Sequence, residues 1–138
     1  MDNCIFCRII AGEIPSMRVY EDECCIAMLD INPAGPGHTL ILPKQHFQDI
    51  TAVDDATVGH LFSVARKIGM RAECRLNADG FNIVQNNGAA AGQTVPHFHI
   101  HVIPRFSEGP DMVSWTPTEP ADGALQAVLE KLTAEEDA

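Results

Sequence analysis

The chain predicts a single-domain α+β fold: about five strands, one long helix over one face of their sheet, and a shorter helix near the end. Three observations predict it. His97 to Val102 alternate strictly between imidazole and apolar residues, the period of a strand. Val58, Leu61, Phe62, Ala65, Ile68, Ala72 and Leu76 recur every three or four residues, the period of a helix with one apolar face. The 138 residues, 46% of them hydrophobic, supply one real core but not two.

The elements follow in order. Ile5, Phe6, Ile9 and Ile10 have the spacing of one helical face, so Cys4 to Ile10 reads as a short opening helix stopped by Gly12. Arg18 to Glu21 and Cys24 to Leu29 read as two strands joined by a tight turn at Glu21-Asp22-Glu23. Asp30 to Gly37 is a loop by its turn residues, and His38 to Pro43 is a short apolar strand. The long helix has start signals at Thr51, Asp54 and Asp55 and stops between Asn77 and Gly80. Phe81 to Val84 returns to strand character, and Asn86 to Thr94 is a small-residue loop. Ser107 to Pro120 is a polar, proline-bearing tail containing the single tryptophan, Trp115. Leu125, Val128, Leu129 and Leu132 form a last helical stripe before the acidic Glu135-Glu136-Asp137. One domain over 1–138 is expected, with a core of about 4–105 and a tail and helix over 106–138.

Charge and cysteine content narrow the function. Lys plus Arg number 9 against 19 Asp plus Glu, a formal net charge of -10, which argues against a broad grip on nucleic acid while leaving a local nucleotide pocket open. The residues at the start lack a signal-peptide pattern, and no run reaches the roughly 18 apolar residues that cross a bilayer. A cytoplasmic protein with no membrane partner is expected. Five cysteines are an odd number, which suits thiols or metal ligands better than a disulfide framework. Cys24, Cys25 and Cys74 read as buried packing, and His60, within the long helix, as a surface residue without a role.

His97, His99 and His101 lie on one face of the histidine strand, with same-face neighbours about 7 Å apart on regular β structure. An amphipathic strand with a polar outer face accounts for one such histidine, but three in register, of six in the chain, point to chemistry. A metallohydrolase in which all three bind one ion fails on geometry, because side chains about 7 Å apart cannot all reach a metal at about 2 Å. Cys4-x-x-Cys7 alone is equally compatible with an exposed thiol pair, a redox motif or half a metal site.

The stretch Gly92-Gln93-Thr94-Val95-Pro96-His97-Phe98-His99-Ile100-His101-Val102-Ile103 resembles the signature of the histidine triad (HIT) family. The opening Cys4 to Pro15, the loop Asp30-Ile31-Asn32-Pro33, Gly37-His38-Thr39-Leu40 and Pro43-Lys44-Gln45-His46 match that family in order, so the resemblance covers about 4–105. It implies a five-stranded antiparallel sheet of HIT-like type in a homodimer. It also implies a hydrolase or transferase acting at the α-phosphorus of a purine nucleotide or nucleotide conjugate.

Carried over position by position, the resemblance makes His99 the nucleophile. A neutral imidazole attacks phosphorus well and splits one hard step into two, and its other nitrogen should then donate to a carbonyl or similar acceptor. His101 and His38 would line the phosphate site. Gln93, Thr94 and Asn86 would add side-chain donors, and Gly88 and Gly92 would admit backbone amides, although a glycine-rich turn before a strand also serves simply as a turn. Ile5, Phe6, Ile9, Met28, Asp30 and Ile31 fall on nucleoside-pocket positions. Asp30 there would accept from ribose hydroxyls, whereas Ile5 and Ile9 fit a helix core equally well and Asp30 fits a turn cap.

Zinc-containing members of the family imply one structural Zn2+ per chain held by Cys4, Cys7, His46 and His97, a closed set with no open position for water. The ending Pro104-Arg105-Phe106 departs from the phosphoramidase branch, whose histidine strand runs into two glycines, and resembles branches that hydrolyse dinucleoside polyphosphates. Three readings follow: a nucleoside-phosphoramidate type of hydrolase, a dinucleoside polyphosphate hydrolase, and a nucleotide-binding sensor whose turnover is incidental.

Overall fold

The computed structural model describes residues 3–109 and 114–135. In order come α1 (Ile5–Ile10), β1 (Arg18–Glu21), β2 (Cys25–Leu29), β3 (Thr39–Pro43), α2 (Asp55–Arg75), β4 (Gly80–Gln85), β5 (Ile100–Arg105) and α3 (Ala124–Leu132). The five strands form one antiparallel sheet in the order β1-β2-β3-β5-β4. Residues 110–113 of the expected tail, and Glu136 and Asp137 of the acidic end, lie outside the described residues. No helix among the described residues is long and apolar enough to cross a membrane.

The sheet buries both faces at its centre, which corrects the expectation of a one-sided sheet. Cys25, Ala27, Ile41, Phe98, Ile100 and Val102 point to α2 and meet Leu61, Val64, Ala65 and Ile68. Ile26, Met28, Leu40 and Leu42 point the other way and meet Phe6 and Ile9 of α1. β2 and β3 therefore read as continuous apolar runs rather than alternating ones, as strands covered on both sides do. Asp54 caps α2 by accepting from the Thr57 N–H at 3.1 Å. Thr51, a candidate for that start, sits instead in a short turn capped by Asp49.

Gly69 lets α2 approach β4. A Cβ there would lie 2.3–2.5 Å from three atoms of the Phe81 ring. Alanine is the better helix former by about 1 kcal/mol, but forcing that ring aside costs more than this, as overpacking does. Gly69→Ala is therefore expected to lower stability by about 1–2 kcal/mol, read as a drop in the urea midpoint with an unchanged slope.

Two smaller expectations are corrected, the burial of Cys24 and Cys74 and the idleness of His60. Cys24 and Cys74 are exposed, and only Cys25 is buried: adjacent residues at a strand start face opposite ways, and Cys74 lies off the apolar stripe of α2. His60 has a role. Its Nε2 lies 2.6 Å from Asp22 Oδ2, which also accepts from the Tyr20 hydroxyl at 2.8 Å, while Asp22 Oδ1 accepts the Cys24 and Cys25 N–H groups. Burial would raise the Asp22 carboxyl, but these hydrogen bonds, led by the one from His60, outweigh it and hold the group well below the usual carboxylate range. Asp22 thus ties the β1–β2 turn to α2. The stripe on α3 forms a helix as its period requires, but Leu125, Val128, Leu129 and Leu132 are all exposed.

Candidate functional site

α1 brings the first part of the site together. Cys4 is its N-cap, its Sγ accepting the Cys7 N–H at 3.4 Å, so one turn of helix places both thiols on the same side. His46 follows β3, and His97 precedes β5. Cys4 Sγ lies 3.4 Å from His97 Nδ1, Cys7 Sγ lies 3.3 Å from His46 Nδ1 and 3.6 Å from His97 Nδ1, and the two Nδ1 atoms are 3.1 Å apart. All four donor atoms fall within 4.8 Å of one another.

Ordinary zinc–sulfur and zinc–nitrogen bonds in a tetrahedron give edges of about 3.6 Å for S···N and about 3.3 Å for N···N, so the cluster already has the dimensions of a closed four-ligand site. His97 Nε2 donates to the Pro43 carbonyl at 3.0 Å, which leaves the Nδ1 lone pair aimed into the cluster, as a ligating histidine requires. Burial takes the His97 pKa down to about 4. Burial, then the neighbouring Cys4 thiol, push the Cys7 thiol up.

The histidine row departs from its expected form. β5 begins at Ile100, so His97 and His99 precede the regular strand, and the His97 ring turns away into the Cys/His cluster. The apolar partners keep their side, since Phe98, Ile100 and Val102 are fully buried against α2. The histidine side is not a solvent face: His97 and His99 are also buried. Rings of His99 and His101 are 5.0 Å apart centre to centre, closer than the spacing of a flat strand.

Hydrogen bonds assign the tautomers. His99 Nδ1 lies 2.7 Å from the His97 carbonyl, so Nδ1 carries the proton and Nε2 keeps its lone pair; the expected carbonyl acceptor is present. The Ala34 N–H donates to His38 Nδ1 at 2.9 Å. Neutral His38 therefore carries its proton on Nε2 and donates it to His101 Nδ1 at 3.0 Å, which puts the His101 proton on Nε2. Burial lowers the pKa of all three. For His99 it outweighs the His97 carbonyl and Asp30, for His38 it outweighs Asp30, and His101, further depressed by the neighbouring His99 and His38, falls to about 4.

His99 and His101 open on a cavity of about 380 Å³ whose walls include Ile5, Phe6, Ile9, Met28, Asp30, Ile31 and Thr94. Asp30 Oδ1 accepts the Asn32 N–H at 2.8 Å, and its Oδ2 lies 3.6 Å from His38 Nε2. A larger, more open depression of about 510 Å³ lies over Cys4, His46 and Thr94, but the histidines with free ring nitrogens face the smaller one.

Asn86, Gly92 and Gln93 are not among the cavity walls. Gln93 donates both amide hydrogens, to the Gln48 and Val95 carbonyls, and its Oε1 accepts the Gly88 N–H at 2.8 Å, so it braces the loop. Gly88 and Gly92, at φ 89° and 95°, bracket the Ala89–Ala91 turn. Wall residues without an earlier assignment include Ile14, Ser16, Asn32, Leu40 and Val95. Leu40 was the readable one, because it pairs with His101 across β3 and β5 and so shares its face.

The fold and site together define a class: a small α+β protein whose central antiparallel sheet presents clustered histidines to an acid-bearing apolar pocket. The chain belongs to the histidine triad family, since the family model described as HIT domain matches residues 11–108. It is 44% identical to "Protein hit" of Bacillus subtilis over 78% of this chain and 74% of that protein. It is 42% identical to "Adenylylsulfatase HINT3" of Arabidopsis thaliana over 75% of this chain and 53% of that protein. Among solved structures, a Zn-bound histidine triad family protein from Mycobacterium smegmatis is 40% identical, with a TM-score of 0.76 over 98% of this chain and 99% of that one.

Proposed function

We propose that the protein cleaves nucleotide conjugates at the α-phosphorus, in the manner of a nucleoside phosphoramidase, through a nucleotidyl group carried on His99. One observation bears most of the weight: the 2.7 Å bond from Nδ1 to the His97 carbonyl leaves an unprotonated Nε2 facing the cavity. Attack by Nε2 forms a P–N bond as the bond to the leaving group breaks. The ring turns cationic in that step, and the bond to the His97 carbonyl strengthens with the charge, which favours the transition state over the ground state. Water then attacks phosphorus and returns the electron pair to Nε2. His101 donates Nε2–H toward the phosphoryl oxygens, held in that tautomer by His38, and Asp30 accepts from the sugar.

Cys4, Cys7, His46 and His97 would hold one structural Zn2+, whose charge keeps both thiols ionised and ties α1 to the segment before β5. The relative from M. smegmatis, described as Zn-bound, supports this assignment. A homodimer fits the edge strand β4, which among the described residues pairs only with β5 and exposes Ile83; a free edge invites pairing. Free thiols at the metal site suit a reducing, cytoplasmic setting. Arg105 of the Pro104-Arg105-Phe106 ending is tied to β4, its Nε donating to Asn82 Oδ1 at 2.9 Å.

The test is incubation with radiolabelled adenosine phosphoramidate, an acid-free quench and mapping of the label, beside a panel of dinucleoside polyphosphates and adenylylsulfate. Label on His99 is expected. Tight nucleotide binding with no turnover of any compound replaces this reading with that of a sensor. Attack needs a neutral His99, whose pKa burial lowers, and burial takes that of His101 to about 4, so kcat/KM is expected to stay level as pH falls to the ordinary imidazole value of 6.5 and to drop only below it. An acid limb at the ordinary imidazole value contradicts this. Unfolding returns His101 to 6.5, so the same shift makes the fold lose stability as pH falls from 6.5 toward 4, not as it rises.

A further inference from the structure

Phe6 stands between the two halves of the site. It lies on α1 between Cys4 and Cys7, is almost fully buried, and sets its ring perpendicular to that of His99, 5.0 Å between centroids with an interplanar angle of 83°. The same ring meets His97 at 5.8 Å and 80°. Such perpendicular contacts are favourable and directional. His97 in turn reaches both ways, with Nδ1 in the Cys/His cluster and its carbonyl accepting from His99 Nδ1. Two routes thus run from the cluster to the His99 ring: through Phe6 on the helix that the thiols anchor, and through the His97 backbone.

We propose that Phe6 is a positioning residue for His99, and that α1, pinned by the Cys/His cluster, is a brace that keeps the His99 ring in the single orientation and tautomer presenting an unprotonated Nε2 to the cavity. The ring needs such a brace. Its only side-chain hydrogen bond among the described residues is the local one to the His97 carbonyl, two residues away and before the regular strand begins. One bond of that kind leaves an imidazole free to flip by half a turn, which puts Cδ2 where Nδ1 was and Cε1 where Nε2 was, breaks the bond that fixes the tautomer and turns Nε2 away from the pocket; an aromatic ring packed perpendicular against it blocks the flip. Phe6 therefore does more than wall the nucleoside pocket, and α1 is more than a lid. The proposal rests on reading His99 as the reacting group, and it concerns the ring before substrate arrives.

Because Phe6 also walls the cavity, activity alone does not separate the two roles. The test is nitrogen-15 NMR of histidine-labelled, nucleotide-free protein loaded with one equivalent of Zn2+, with His99 assigned by comparison with His99→Gln. The unaltered protein is expected to show two well-separated His99 ring-nitrogen signals, one protonated and one not. In Phe6→Ala these should broaden and move toward an average, and in Phe6→Leu, which refills most of the volume without a ring edge, they should recover in part. Stripping Zn2+ from the unaltered protein with a chelator should produce the same averaging, reversed when Zn2+ is returned.

Separated signals in Phe6→Ala, with only thermal stability reduced, overturn the proposal. So do unchanged signals in stripped protein whose sheet amide resonances persist. If the stripped protein unfolds, the zinc-loaded Phe6→Ala spectrum decides alone. None of these spectra involves substrate, so a failure of label to appear on His99 removes the catalytic reading while leaving the brace to stand or fall on its own data.

Discussion

His99→Gln is expected to lower turnover of a nucleoside phosphoramidate by about 10³–10⁵-fold while nucleotide binding changes only a few-fold, the pattern for removal of a covalent nucleophile. Glutamine is the informative replacement. It fills a site that is 5% exposed and can still donate an amide hydrogen to the His97 carbonyl, so the fold and the wall against Phe6 are preserved while the attacking nitrogen is gone. Loss of one stabilising donor is a smaller event, roughly 10²–10³-fold where a donor meets developing charge directly. His101→Ala should fall in that range, and His38→Ala, one hydrogen bond further back, below it. The order His99, His101, His38 is therefore part of the expectation. Steady-state rates, with calorimetric binding of the nucleoside monophosphate, measure it. Turnover within tenfold of the unaltered protein would show that water attacks directly and that His99 only lines the pocket.

That ranking depends on features of unequal visibility in the sequence. Apolar periodicity was readable because burial imposes it: Leu61, Ala65, Ile68 and Ala72 face the sheet at helical spacing, and Phe98, Ile100 and Val102 keep the strand period. The same periodicity was an incomplete guide at two places. Residues 97 and 99 alternate like a strand but precede it, so the His97 ring was free to turn toward Cys4, a contact across 93 positions that no local pattern encodes. α3 has a sound apolar stripe and buries none of it; period reports which face is apolar, not whether anything covers it. The pairing of His60 with Asp22, 38 residues apart, was invisible for the same reason. The four candidate ligands came from family resemblance. Cys4-x-x-Cys7 spacing alone carried no information about His46 or His97, which β3 and the segment before β5 deliver from elsewhere.

Removal of the metal, by a chelator or by Cys4→Ser with Cys7→Ser, is expected to cost about 4 kcal/mol of stability, the linkage value when free metal stands near a thousandfold above its dissociation constant. For a chain of this length that is a fall in Tm of roughly 10–15 °C. The loss should stop short of unfolding. Small zinc modules owe nearly all their stability to the ion, whereas here Ile41, Leu61, Val64, Ile100 and Val102, fully buried, make a core on the α2 face of the sheet, opposite the face against which Cys4 packs. The pH dependence of metal affinity follows from which ligands must lose protons. His97, already near 4, is neutral throughout the physiological range, but both thiols must ionise and burial has pushed Cys7 up. Binding should therefore weaken by about 10²-fold for each unit of acidification, two protons per metal. Scanning calorimetry with and without Zn2+, together with elemental analysis giving one zinc per chain, checks the whole statement. Equal Tm values for stripped and loaded protein would mean that the two thiols and two imidazoles, for all their tetrahedral spacing, hold no ion that matters to the fold.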